Sequence, residues 1–173
     1  MVDFCLNATA GRRRTELLKI IGALIIFFSS FMIAAGIVEK IDVTQRSVSA
    51  LRGILEHTKN MIECYSLPAG EILKRIDSSL LSDCGCFEQK IPRDFSELAE
   101  RAKIADGEAR EIFSAFSKDF GKSYRQDEIL RCSLYLEKMR AREQKLTKEY
   151  AKKKKVIFTV ALCSALAVII LII

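Results

Sequence analysis

Two stretches of the chain carry no charge and are mostly aliphatic, and the segment between them sets apolar positions at alternating steps of three and four. The first uncharged stretch covers residues 20–38 and contains Phe27, Phe28 and Phe31. The second covers 156–173 and follows directly on Lys152, Lys153, Lys154 and Lys155. As a helix rising about 1.5 Å per residue, each extends roughly 27 Å, close to the roughly 30 Å of bilayer hydrocarbon. The pattern therefore predicts transmembrane helices at 20–38 and 156–173, the second carrying the end of the chain into the membrane. A tail, 1–16, precedes them, and 39–155 is long enough for one small domain.

That central segment reads as helical throughout, without the alternating runs and hairpin turns of strands. From Arg46 to Tyr65 the positions Val48, Leu51, Leu55, Thr58, Ile62 and Tyr65 form one seam. Pro68 opens a second helix carrying Ile72, Leu73, Ile76 and Leu80 and stopping near Asp83 to Gly85, followed by a loop through Cys86 and Pro92. Asp94 caps a third, bearing Phe95, Leu98, Ala99 and Ala102, with Glu97 placed to reach back. Asp106-Gly107 breaks it. A fourth, Glu108 to Phe120, presents Ala109, Ile112, Phe113, Phe116 and Phe120 as a core face, and Gly121 ends it. Beyond Ser123 there is neither Gly nor Pro, so one helix of some fifty residues, roughly 75 Å, runs to the end of the chain. Its seam is Ile129, Cys132, Leu136, Met139, Glu143, Leu146 and Tyr150, of the kind used in antiparallel bundles and coiled-coil stalks, with a weak point at Glu143. The expected fold is an all-α, membrane-anchored antiparallel bundle between two spans.

The net charge of +6 changes little, because it sits at the membrane ends. Residues 39–151 hold twenty Lys/Arg and twenty Asp/Glu. The surplus is Lys152 to Lys155, placed to meet anionic headgroups, and two more in the first nineteen residues, where Arg12, Arg13, Arg14 and Lys19 oppose Asp3 and Glu16. No basic patch interleaved with aromatics accompanies it, which argues against a nucleic-acid partner. The second span has nine Lys/Arg in the twenty residues before it and none after, which places the central domain in the cytoplasm. The first span votes weakly the other way. Its apolar core is longer than a typical signal-peptide core, favouring a retained anchor.

Catalytic chemistry has little footing. His57 is the only histidine, so a His-rich metal site cannot be assembled, and no glycine-rich phosphate loop occurs. Of the six cysteines, Cys5 lies on the tail, Cys163 in the second span, and Cys64 and Cys132 on helix faces. Cys84 and Cys86 form a lone C-x-C, half of a usual zinc site, read here as an incidental loop pair. The reading is a non-enzymatic protein with no cofactor.

Leu17-Leu18-Lys19-Ile20-Ile21-Gly22-Ala23 and the turn Phe120-Gly121-Lys122-Ser123-Tyr124-Arg125-Gln126-Asp127-Glu128-Ile129 resemble the stage III sporulation protein AB family. Arg52, Tyr65 and Pro68 also fall at similar places. Tyr124 stands where that family usually has Asp, and Glu128 where it has Gln, while Ser123 remains available to cap the long helix. The resemblance implies a scaffold similar to the inner-membrane platform protein of type II secretion, in the mother-cell membrane facing the forespore. Its implied partners are a secretion-type ATPase and the membrane ring proteins of the same complex. It also implies a start at residue 17, which removes Arg12 to Arg14 and makes the two spans agree; the intact mass of the native protein tests this, and Met1 or Val2 at its N-terminus would overturn it.

Under this reading Lys122, Ser123, Arg125, Gln126 and Glu128 form the partner contact, and Lys152, Lys153, Lys154 and Lys155 the lipid contact. The alternative is a membrane-anchored signalling or adaptor coiled coil unrelated to secretion, dimerising through the seam from Ile129 to Tyr150.

Overall fold

The computed structural model describes residues 2–65, 67–86 and 91–172, with side chains from residue 19 onward except at 169, 171 and 172. Among the described residues six helices follow in order: α1 Val2–Tyr65, α2 Ala69–Lys74, α3 Ser78–Asp83, α4 Phe95–Arg101, α5 Gly107–Asp119 and α6 Arg125–Ile172. No strand occurs among the described residues, and the all-α expectation holds. Contacts divide the chain into two units, Met1–Glu39 with Ala151–Ile173, and Lys40–Tyr150.

The first unit pairs two apolar helical segments. Phe31 meets Phe158 with ring centroids 6.4 Å apart, and Ala34 and Ala165 are each only 3% exposed, small side chains that let helices approach closely. Ile25, Phe28, Met32 and Ile33 face outward. Among the described residues one helix, Lys19–Tyr65, contains a stretch long and apolar enough to cross a membrane, with mean hydropathy 2.5. The expected second span, 156–173, runs into residues outside those described. So do the side chains of the tail, and the loop residues between Cys86 and Ile91.

The second unit is built on α1 and α6, which run antiparallel through it. Gln45 donates to Thr147 (3.1 Å), Arg52 approaches Glu143 (2.7 Å), and Arg140 donates to Glu56 (3.0 Å). The seam of α1 is buried at Val48, Leu51, Leu55, Thr58 and Ile62, while Tyr65 points out at 62% exposure. Thr58 is tolerated there because its hydroxyl donates to the Ile54 carbonyl at 2.7 Å. On α6, Cys132, Leu136, Met139 and Leu146 enter the same core, so this chain itself covers the seam. Glu143 is no gap in that seam: its carboxylate meets Arg52, which also pairs with Glu56 at 2.9 Å.

Between these long helices the short ones are set by their caps. The single helix expected after Pro68 is two, α2 and α3. Asp77 takes an extended conformation and accepts the Ser79 N–H at 2.9 Å, starting a new helix where periodicity alone continued the old one. Asp94 does cap α4, accepting from Glu97 N–H at 2.8 Å, and Glu97 reaches back to the N–H of Arg93 rather than of Asp94. Asp106-Gly107, expected to separate the third helix from the fourth, lies beyond the end of α4 at Arg101, and Asp106 caps α5 by accepting from Ala109 N–H at 2.8 Å. Gly85 and Gly121 follow the ends of α3 and α5 at φ 79° and 80°, the left-handed region that glycine enters without a Cβ clash. α6 runs unbroken for 48 residues, as the absence of Gly and Pro predicts.

Candidate functional site

The turn from α5 into α6 is held by arginines and one buried glutamate. Phe120 ends α5, Gly121 reverses the chain, and the Tyr124 carbonyl accepts from Glu128 N–H at 2.9 Å, so Tyr124 rather than Ser123 occupies the cap position of α6. The Ser123 hydroxyl instead accepts from Arg131 Nη2 at 2.7 Å, while Arg131 Nη1 donates to the Asp119 carbonyl at 2.7 Å. Arg125 donates to the carbonyl of Ile62 at 3.1 Å and to that of Glu63, tying the start of α6 to the end of α1. Those carbonyls belong to the last turn of α1, which has no later N–H to bond.

Glu128 is 5% exposed. Its Oε1 accepts from Gly121 N–H at 3.1 Å, and its Oε2 is buried without a hydrogen-bond partner. Glu128 thus bonds the turn through one oxygen, whereas Tyr124 projects at 88% exposure.

Of the five residues expected to meet a partner, Lys122 and Gln126 face solvent on the turn, and Arg125 is exposed but committed to α1. Ser123 and Glu128 hold the turn from within. The outward surface is therefore Lys122, Tyr124, Gln126 and Asp127. Beside it lies a cleft of about 590 Å³, reached by the end of α1 and the approaches to α2, α4 and α6. Sequence reading missed this cleft, since its walls come from segments distant in the chain.

Asp119, at the end of α5, accepts from the Tyr135 hydroxyl at 2.7 Å. That bond holds the Asp119 carboxyl below the usual carboxylate range, and burial, with Asp119 beside it, raises Tyr135. Burial pushes the thiols of Cys84 and Cys132 up to about 12, so neither is a nucleophile near neutrality. Cys84 sits 3.9 Å from the Ser47 carbonyl. No group of three or more His, Cys, Asp or Glu that could hold a metal occurs among the described residues. His57 is half-buried, with its Nε2 unpartnered and its pKa lowered by burial. Lys152, Lys153 and Lys155 are exposed on α6 and Lys154 half-exposed.

Comparison with known proteins agrees with this geometry in one respect. The family model for stage III sporulation protein AB matches residues 19–173, from the start of the apolar stretch of α1 through the turn to the end of α6. No curated protein and no solved structure matches the chain. With the match covering both the apolar ends and the arginine-held turn between α5 and α6, the chain belongs to the stage III sporulation protein AB family.

Proposed function

We propose that this sporulation protein is a non-enzymatic platform in the mother-cell membrane, part of a secretion-like channel to the forespore. In this reading two spans anchor it, the Lys40–Tyr150 unit lies in the cytoplasm, and Lys152 to Lys155 meet anionic lipid headgroups. The turn into α6 docks a secretion-type ATPase, and α6 carries its movements toward the membrane ring proteins. The observation that carries the reading is the turn itself. Arg125 and Arg131 spend their hydrogen bonds making it rigid, yet it leaves Tyr124 88% exposed beside Lys122, Gln126 and Asp127. Tyrosine is among the residues enriched in protein-binding hot spots. The adaptor alternative is less well supported, because the seam it needs for dimerisation is covered by the chain's own helices.

Co-flotation tests this. Vesicles carrying the full chain are expected to float the ATPase of the same complex, and Tyr124→Ala with Gln126→Arg to weaken that recruitment by about tenfold or more. Flotation that is absent, or indifferent to these substitutions, would overturn the docking role. Orientation is read at Cys64, which is exposed, in a background lacking Cys5 and Cys86. A membrane-impermeant thiol reagent should reach it only after lysis of growing cells, and labelling of intact cells would place the unit outside.

A further inference from the structure

On the side of α6 turned away from the core, Leu130 and Leu134 are 69% and 50% exposed, one helical turn apart, and Ala141 is exposed further along. Beside them Lys138, Lys145 and Lys148 are exposed as well. Steps of three, four and seven residues keep all six along one stripe of the helix. Every exposed position from Lys138 to Lys148 is basic or uncharged, although residues 39–151 hold equal numbers of basic and acidic residues. The acids on and beside this part of α6 are committed elsewhere: Glu143 to Arg52, Glu56 to Arg52 and Arg140, and Glu108 to Arg142. Among the described residues Lys138, Lys145 and Lys148 meet no carboxylate at salt-bridge distance, and Lys138 lies over the Tyr135 ring, 5.3 Å from its centroid.

Charge and spacing select the occupant of this stripe. Lipid headgroups do not reach it: Lys138 stands about 27 Å of helix before Val156, where the apolar stretch opens, and Lys145 about 17 Å, against a screening length of about 8 Å. Leu130 and Leu134 lie farther still. A second copy anchored in the same membrane lies parallel to the first. Leu130 and Leu134 then take d and a positions of a heptad, and the pairing sets Asp127, Glu137 and Lys148 each against its own equivalent, like charge on like. A helix of another protein meets neither obstacle. Its apolar seam covers the leucines, and acidic residues flanking that seam neutralise the lysines, which is how paired helices choose their partners.

We infer that the outward face of α6 docks an amphipathic helix of another protein, apolar against Leu130, Leu134 and Ala141 and acidic against Lys138, Lys145 and Lys148. This face lies apart from the outward surface of the turn, and the inference does not depend on what docks there.

The test uses the full chain in nanodiscs of zwitterionic lipid and two fluorescein-labelled three-heptad peptides with Leu at their a and d positions, one with Glu at e and g and one with Lys. The Glu peptide should give a saturable rise in anisotropy above that with empty discs, and the Lys peptide should bind about tenfold more weakly or not at all. Raising the salt from about 0.1 M to about 1 M, which shortens the screening length from about 10 to about 3 Å, should weaken the Glu peptide. Lys138→Glu with Lys145→Glu should reverse the preference, a gain of binding that a misfolded chain does not give. Leu134→Ser should weaken the Glu peptide with the unfolding temperature unchanged. No saturable binding, equal affinity for the two peptides, or a preference unmoved by the double variant would each overturn the inference. So would either of two results in a background without Cys5, Cys64, Cys86 and Cys163. Quenching of a bimane on Lys138→Cys by lipid with a nitroxide headgroup would give the stripe to the membrane, and a disulfide between two copies of Leu134→Cys would give it to a second copy. None of these substitutions touches the turn, so loss of peptide binding leaves the ATPase-docking role standing, and loss of co-flotation with the peptide still bound sinks that role alone.

Discussion

Arg142→Ala is expected to destabilise the full chain by about 3 to 5 kcal/mol, read from the denaturant midpoint in micelles at neutral pH. Arg142 on α6 donates from Nε to Asp106 Oδ2 at 2.9 Å and from Nη2 to Oδ1 at 2.5 Å, and its Nη1 lies 2.7 Å from Glu108. The Arg142 and Asp106 side chains are 13% and 7% exposed, so water does little to replace the missing partner. Asp106 also caps α5, so the pair joins α6 to the start of α5 at one point. Removing the arginine leaves a carboxylate buried with one backbone N–H as its remaining support. Replacing both residues, Asp106→Asn with Arg142→Met, should recover part of the loss, because no charge is then stranded. A cost under 1 kcal/mol for Arg142→Ala would show that this bridge is solvated and does not tie the helices.

The same pair gives a pH signature. The hydrogen bond from Arg142 holds the Asp106 carboxyl below the usual carboxylate range. A folded pKa below the unfolded value contributes stability that is present above the unfolded value of about 3.9 and is lost as pH falls through the folded one. The parent should therefore lose stability on acidification below about pH 4 more steeply than Arg142→Ala does. Equal slopes would remove the pair from the account of acid sensitivity.

Phe116→Ala is expected to cost a similar 3 to 5 kcal/mol, for a different reason. Phe116 is fully buried, with ring centroids 5.3 Å from Phe95, 5.3 Å from Phe120, 5.9 Å from Phe113 and 5.8 Å from Tyr135. It therefore joins α4, α5 and α6 through one aromatic cluster. Truncation removes its burial energy and opens a cavity that its neighbours close only in part. Phe116→Leu should cost distinctly less. Because Phe95 and Phe120 pack directly on it, Phe116→Ala should also lower near-ultraviolet dichroism. A small loss with an unchanged aromatic signal would mean that the cluster repacks.

Much of this protein was legible in the chain. The period of three to four picked out the buried faces of α1, α5 and α6, because a helix buries one stripe and that stripe is mostly apolar. Gly121 marked the turn, since a left-handed residue favours glycine, and Asp94 marked a cap. The run without Gly or Pro foretold the length of α6, and the turn residues pointed to the family. Where local chemistry competed with periodicity, the latter misled. Asp77 split one expected helix by accepting from Ser79 N–H. That signal stood in the sequence, but an aspartate within an apolar period reads as part of the helix until its acceptor bond is seen.

What the sequence determined by itself is the class, the apolar ends, the buried faces and the family, all of which depend on residues close together in the chain. Only the tertiary structure decided that Arg142 meets Asp106, that Arg52 turns Glu143 from a gap into an ion pair, and that Glu128 faces inward while Tyr124 faces out. These depend on which helices lie side by side. A charged residue carries no mark of the distant partner that will neutralise it, and a cleft walled by Ile62, Phe95 and Phe120 exists only once packing has brought them together.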